Sequence, residues 1–260
     1  MPSSRYAEAV APMYEDVHDA ASVLVGRFRN EAALNSLPPK QLFAWLHRFY
    51  VVLDGMATQH KVFKLYGGAQ GFLLATNVAE PDANHAATMF AFAQRLMQVA
   101  LHIRVPGQAP LELVLGMDTG ALASGLLGRA SLTYQLVGRC ADVARELADA
   151  EAGASLKVAD GMYRSLPPEA AAALIPLGGV QLRCCPDEAV RVYTLPQCAS
   201  PPPHNTSPVT PTVAASLAQA RACLAPAVPS LAGASCTCTC TCGCGNVHAD
   251  ALLPPAAELK

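Results

Sequence analysis

The densest group of residues capable of chemistry in this chain of 260 amino acids is a run of cysteines near its end. From Cys236 to Cys244 every second residue is a cysteine, and thiolates in such a run can bind soft metal ions. The pattern favours a low-complexity repeat without a ligand, because no Cys-x-x-Cys or His-x-His partner completes a closed zinc site. We therefore expect no metal centre in this run.

Single polar residues elsewhere lack partners at catalytic spacing. Asp118 follows an apolar run, where a carboxylate could be catalytic, but capping of a turn is the expected role. His85 begins a predicted helix and is expected to be structural. No serine or cysteine lies in a nucleophile elbow, and no phosphate-binding glycine loop occurs. Any function must therefore come from how the elements arrange other residues.

Two adjacent segments in the middle of the chain carry the clearest pattern. LVLGMDTGALASGLLG (Leu113–Gly128) is an apolar strand followed by a predicted Gly-x-x-x-Gly turn, and YQLVGRCADVAREL (Tyr134–Leu147) is a short strand and an amphipathic helix. This layout resembles the catalytic domain of class III nucleotide cyclases, the adenylate and guanylate cyclase family. The resemblance covers about residues 14 to 195. It implies an α+β, ferredoxin-like class III nucleotide cyclase fold with a mixed or antiparallel sheet and helices packed on it.

The resemblance also locates the metal-binding acids of the family, and this chain lacks both. In the family two aspartates hold two magnesium ions, which activate the ribose hydroxyl and carry the charge of the triphosphate. Arg27 stands where the first strand ends in an acid, and Gly68 stands at the acid of the following hairpin. Placing Asp16 at the first position is disfavoured, because the apolar strand would then follow the acid. The resemblance therefore implies no metal site, and no cofactor is expected.

The positions that bind the nucleotide are changed as well. Where the family has an asparagine and an arginine on the helix after the glycine turn, this chain has Asp142 and Glu146. Arg145 is one residue away and points about 100° around the helix. At the positions that recognise the base, Lys64 resembles an adenylate cyclase, whereas Gln135 matches neither class. Lys64 is more simply explained as a solvated strand residue.

Apolar periodicity predicts the elements that would position these residues. The order is strand, helix, two strands, helix and strand, followed by further elements, with the helices expected on one face of the sheet. Domain limits follow from composition: a lead-in over residues 1–20, the cyclase-like domain over 21–195 and a disordered tail over 196–260. The tail contains no aromatic residue but has 10 of the 21 prolines and 7 of the 10 cysteines. The predicted elements are strands at 21–28, 62–66, 71–76, 111–118, 132–137, 156–159, 180–184 and 190–195, and helices at about 38–56, 86–100, 139–150 and 160–166.

Charge and hydropathy exclude several classes of function. A net charge of −2 without a basic stripe does not favour binding to nucleic acid, and no apolar run is long enough for a membrane span. We expect a cytoplasmic protein, or a cytosolic portion of a larger one. The combined interpretation is a catalytically inactive cyclase-like domain that acts as a dimerisation or regulatory module in signalling, as a homodimer or with another cyclase-type domain. The alternative is an adenylate or guanylate cyclase subunit that binds ATP or GTP with Mg²⁺ or Mn²⁺.

Overall fold

The computed structural model describes residues 15–107, 109–128, 131–150 and 155–196, and its elements follow the predicted order. Eight strands and six helices lie within these ranges. The strands are β1 (Glu15–Phe28), β2 (Phe63–Gly68), β3 (Gly71–Thr76), β4 (Leu113–Leu127), β5 (Thr133–Val137), β6 (Leu156–Ala159), β7 (Ile175–Leu182) and β8 (Cys185–Thr194). The helices are α1 (Glu31–Asn35), α2 (Pro39–Gln59), α3 (His85–Ala100), α4 (Arg139–Asp149), α5 (Asp160–Ser165) and α6 (Pro168–Ala172).

One mixed sheet in the order β2-β3-β1-β4-β6-β8-β7 carries the fold. Every pairing is antiparallel except that of β4 with β6. The first half of β4 pairs with β6, and its second half pairs with β5. The start of β1, residues 15–18, pairs with the same second half of β4. We call residues 15–18, 123–127 and 133–137 the arm.

Helices cover both faces of this sheet, so the expectation of helices on one face is wrong. Leu24 of β1 points into the core shared with α2 and α3, whereas Val23 and Val25 point to the opposite face, where α4 packs. All three side chains are buried. A strand that is apolar at consecutive positions needs cover on both faces, because successive side chains alternate across the sheet.

An aromatic cluster fixes α2 against the end of β1. Trp45 and Phe49 lie one turn apart on the buried side of α2, with their rings stacked at 5.9 Å. Phe28 meets both edge-on, at 5.7 and 5.1 Å, and Phe72 of β3 completes the group. Burying such rings is among the largest stabilising contributions in a core. The cluster therefore holds together the ends of β1 and β3, next to the expected metal corner.

The glycine turn predicted within residues 113–128 does not form. β4 continues through this segment as one strand, because Ala21 and Ser22 of β1 pair with its middle part. Gly116 instead allows close helix packing: a Cβ there would lie 2.2 Å from the carbonyl oxygen of Ala144 in α4. The chain turns only at Gly128, whose φ of +106° suits glycine.

The predicted element limits differ from the observed ones mainly at strand ends. β1 begins at Glu15 rather than Ala21, so residues 15–20 of the predicted lead-in belong to the sheet. The last two strands are longer than predicted, and the short helices α1 and α6 were not predicted. Residues 1–14 and the predicted tail from 197 onward lie outside the described residues. Within the described residues, no helix is both long and apolar enough to cross a membrane.

Candidate functional site

The expected metal corner contains an ion pair instead of an acid. Arg27 lies near the end of β1, opposite Gly71 of β3 and Val114 of β4. Its Nε donates to Oδ1 of Asp149, the last residue of α4, at 2.6 Å. The two side chains are 27% and 42% exposed, so water screens the pair. The guanidinium is thus tied to the C-terminal end of α4.

Gly68, at the predicted position of the second acid, is enclosed by two tyrosines. The Tyr50 hydroxyl accepts a hydrogen bond from the Gly68 amide at 2.9 Å and can donate to the carbonyl of Gly68 or of Gly71, at 2.7 and 2.8 Å. A Cβ at Gly68 would lie 2.2 Å from the Tyr66 hydroxyl. An aspartate here would therefore require Tyr66 to rotate away. Burial raises the pKa of Tyr50, so its hydroxyl keeps its proton.

These groups do not suit a pair of magnesium ions. Magnesium requires hard oxygen ligands, carboxylates above all. The corner offers a guanidinium at Arg27 and, at Gly68, no side chain. Among the described residues, no cluster of three or more histidines, cysteines, aspartates or glutamates is placed to hold a metal ion. No catalytic step can be derived through metal at this corner.

The two altered positions of α4 are engaged within the chain. Asp142, in the first helical turn, accepts a hydrogen bond from Arg145 at 2.5 Å. Glu146 accepts backbone hydrogen bonds from Arg183 at 2.6 Å and Cys184 at 3.0 Å, and it is only 19% exposed. Arg145 is therefore paired with Asp142, which stands where the resemblance predicts an asparagine, and Glu146 holds the turn between β7 and β8.

Lys64 and Gln135, at the two positions expected to recognise the base, lie in different surroundings. Lys64 forms an ion pair with Asp54 of α2 at 2.5 Å, and its Nζ lies 5.3 Å from the centre of the Tyr50 ring. The expectation of a solvated strand lysine is therefore wrong, because the Lys64 ammonium is paired with the carboxylate of Asp54 in α2. Gln135 instead lines a cavity of about 230 Å³ on the arm, together with Glu15. No hydrogen bond joins Lys64 to Gln135 within the described part of the chain.

Asp118 is a buried acid rather than a turn cap. It lies in the middle of β4, is 4% exposed, and accepts a hydrogen bond from the Met162 amide of α5 at 3.2 Å. Burial raises its pKa to about 6, although hydrogen bonds from Thr119 and Met162 act in the opposite direction. The sequence does not predict this contact between a strand acid and α5, because its partner lies 44 residues away.

His85 has the structural role expected of it. Its Nδ1 lies 2.8 Å from the Ser22 hydroxyl, which in turn lies 2.7 Å from the hydroxyl of Thr119. Burial lowers the pKa of His85. This network ties the start of α3 to β1 and β4 and includes no group from the metal corner.

Comparison with known proteins places this geometry in a family. The model of the adenylate and guanylate cyclase catalytic domain matches residues 11–196. The chain belongs to the adenylate and guanylate cyclase family. An adenylate cyclase of Mycobacterium tuberculosis is 26% identical over 167 residues, which are 63% of this chain and 37% of that protein. A membrane guanylyl cyclase of Dictyostelium discoideum is 22% identical over 160 residues, 61% of this chain and 11% of that protein. The chain thus matches only a minor part of these larger cyclases.

Solved cyclase domains share the fold. The guanylate cyclase domain of RhGC from Catenaria anguillulae, solved with GTP, superposes with a TM-score of 0.61 at 16% identity, over 68% of this chain and 96% of that domain. The adenylyl cyclase CyaB of P. aeruginosa gives a TM-score of 0.60 at 15% identity, over 74% of this chain and 99% of that chain. The predicted cyclase fold is therefore confirmed.

Sequence reasoning missed the residues that close the corner. The sequence does not predict a role for Tyr50 or Tyr66 at this corner, although Tyr50 of α2 is partly buried against the core. Asp149 gave no signal, since its partner Arg27 is 122 residues away.

Proposed function

We propose that this cyclase-family domain is catalytically inactive and acts as a dimerisation or regulatory module in intracellular signalling. The observation that carries the proposal is the guanidinium of Arg27, bonded to Asp149 where the family has a metal-binding acid. Two like unit charges about 4 Å apart repel by about 4 kcal/mol at an effective dielectric constant near 20. A divalent cation beside Arg27 would be repelled more strongly, so we expect neither Mg²⁺ nor Mn²⁺ to bind at this corner.

The phosphate side of the site supports the same proposal. A developing negative charge on a triphosphate is stabilised by positive groups and hydrogen-bond donors. Asp142 and Glu146 present carboxylates, and the adjacent Arg145 already binds Asp142. Freeing Arg145 for a nucleotide would leave Asp142 facing the same phosphates.

The remaining surface is suited to association. The arm exposes apolar side chains, with Val17 and Val137 both paired to Ala123 of β4 and 77% and 62% exposed. Leu127 at its end is 52% exposed, and Tyr134 is half-buried with its hydroxyl donated to Ser124. Contiguous exposed apolar groups of this kind are typical of interaction sites. We propose that the arm forms a homodimer, or a heterodimer with another cyclase-type domain.

An active cyclase is the second candidate, favoured by the family match over residues 11–196 and by relatives that are adenylate cyclases. A cytoplasmic location is part of both proposals. If the chain is active, it needs Mg²⁺ or Mn²⁺ and either ATP or GTP, and it must supply ligands other than those of the family.

A direct assay separates the two candidates. The purified full chain is incubated with ATP or GTP in Mg²⁺ or Mn²⁺, and cAMP and cGMP are quantified by mass spectrometry beside an active class III cyclase. The proposal predicts no product above the blank and a concentration-dependent dimer by analytical ultracentrifugation. Product that disappears in R27A would support the active cyclase and refute the proposal.

A further inference from the structure

The turn between β7 and β8 places two adjacent thiols side by side. Leu182 pairs with Cys185, so Arg183 and Cys184 form a two-residue hairpin turn. The Sγ atoms of Cys184 and Cys185 lie 3.8 Å apart, and both cysteines are free. Cys185 is 5% exposed, whereas Cys184 is only half-buried, so a ligand can approach from the side of Cys184.

A guanidinium stabilises negative charge at this pair. The Nε of Arg139, the first residue of α4, donates to the Cys185 Sγ at 3.1 Å, and another nitrogen of the same group binds Glu188 at 2.6 Å. Thiolates form preferentially beside arginine. The guanidinium of Arg139 therefore lies where it would stabilise negative charge on the Cys185 sulfur.

The turn is held in place by hydrogen bonds from two directions. Glu146 accepts the amide hydrogens of Arg183 and Cys184. Nε2 of Gln181 donates to the carbonyls of Cys185 and Pro186, at 3.0 and 2.8 Å. A ligand that needs both sulfurs therefore meets them already oriented, which reduces the entropic cost of binding.

The sulfur spacing suits a single bridging centre. Two ligands about 2.3 Å from a tetrahedral metal, the usual zinc–sulfur distance, lie about 3.8 Å apart. Soft thiolates select soft ions. We propose that Cys184 and Cys185 form a two-thiolate chelating site for thiophilic centres, either a soft divalent ion or a trivalent organoarsenical. No third protein ligand completes a cluster in the described ranges, so water or the aryl group fills the other positions.

The arsenical reaction is balanced without an oxidant. Phenylarsine oxide condenses with the two thiols: two As–S bonds form, two S–H bonds and the As–O double bond break, and water leaves. Arsenic remains trivalent. A divalent ion such as Cd²⁺ binds instead by displacing the two thiol protons. Both reactions consume the same two sulfurs, so either probe should protect them from alkylation.

Peptide mapping of the full chain tests this site despite the other cysteines. Reduced protein is treated with one equivalent of phenylarsine oxide or with Cd²⁺, alkylated with N-ethylmaleimide and digested with trypsin. Cleavage after Arg183 and Arg191 releases 184–191, which contains both thiols and no other cysteine. Cleavage after Arg139 and Arg145 releases 140–145, which contains Cys140. We expect peptide 184–191 to be protected, whereas 140–145 reacts at the same rate with and without either probe.

Matched variants assign the effect to the pair. C184S and C185S should each abolish protection, whereas C140S should leave it intact; far-ultraviolet circular dichroism checks that each variant is folded. R139Q should weaken protection several-fold, whereas R145Q on the same helix should not. Protection by one probe alone would support the site and identify its class of ligand. Equal alkylation of 184–191 with and without both probes, in folded protein, would overturn the proposal.

Discussion

The Nε of Arg27 donates to the carboxylate of Asp149 at 2.6 Å, joining the end of β1 to the end of α4. Arg27, at the position where the resemblance predicts a metal-binding acid, is thus bonded to the helix that carries Asp142 and Glu146. One intrachain contact therefore links the expected metal corner to α4, where the resemblance predicts the phosphate-binding residues.

Breaking this ion pair should affect stability only slightly. Both partners are substantially exposed, and pairs of this kind contribute about 0–1 kcal/mol. We expect R27M and D149N each to lower the free energy of unfolding by less than about 1 kcal/mol. Urea denaturation measures this, with R145M as the control for an exposed ion pair on the same helix. A loss of several kcal/mol in R27M alone would show that Arg27 has a structural role beyond this contact.

The Tyr50 hydroxyl should matter more than that of Tyr66. Y50F removes a group that binds the Gly68 amide and can donate to the Gly68 or Gly71 carbonyl, so we expect a loss of about 1–3 kcal/mol. Y66F removes a more exposed hydroxyl and should change stability by about 0.5 kcal/mol or less. Thermal and urea denaturation of both variants make the comparison. Equal effects would mean that Tyr50 does not hold the hairpin.

Glu146 should be a structural residue in this chain. E146Q keeps the shape of the side chain but replaces one accepting oxygen with an NH₂ group, facing the amides of Arg183 and Cys184. We expect a loss of about 1–3 kcal/mol, as for hydrogen bonds to a charged group. E188Q, at an exposed position of β8, is the matched control. Hydrogen exchange at Arg183 and Cys184 should accelerate in E146Q and remain unchanged in E188Q.

The pattern of apolar residues was sufficient for most of the fold. The apolar stripe of α2 and the helical spacing of apolar residues in α4 predict those two helices, because burial of one face stabilises a helix. The uninterrupted apolar run of β1 also implies cover on both faces, which the expectation of one-sided helices overlooked. The turn prediction was wrong at Gly116 because tertiary packing, not a turn, favours glycine there: α4 approaches the strand at this point.

At the candidate site, the resemblance to the family predicts which acids are missing, but it does not predict the contacts that Arg27 and Gly68 make instead. The partner of Arg27 lies 122 residues away, and that of Lys64 lies on a different element. Contacts between residues so far apart in the sequence produce no local periodicity from which they could be predicted. The burial of Asp118 cannot be predicted from the sequence for the same reason, since α5 packs over it.

Asp118 should make stability depend on pH. Its folded pKa of about 6 lies above the ordinary value of 3.8, so the folded state binds the proton more tightly than the unfolded state. The stabilisation that Asp118 contributes to the free energy of unfolding is fully present below about pH 4. It is lost as the pH rises through about 6, and the loss is up to about 3 kcal/mol for a shift of this size. The stability of the wild type relative to D118N should therefore fall between pH 4 and pH 7. Urea denaturation across this range, with exposed D187N as control, checks the sign; a rise would contradict it.

Complementation tests the central claim most directly, because it examines the two halves of the site separately. In the class III family the metal acids of one subunit work with the asparagine and arginine of the other. The full chain is mixed with an active cyclase domain that lacks only its metal acids, and separately with one that lacks only its asparagine–arginine pair. Association is followed by analytical ultracentrifugation, and cAMP and cGMP by mass spectrometry. We predict association without product in both mixtures, because Arg27 and Gly68 cannot replace the acids, and Asp142 and Glu146 cannot replace the other pair. Product in either mixture would contradict the account and would identify which half of the site is functional.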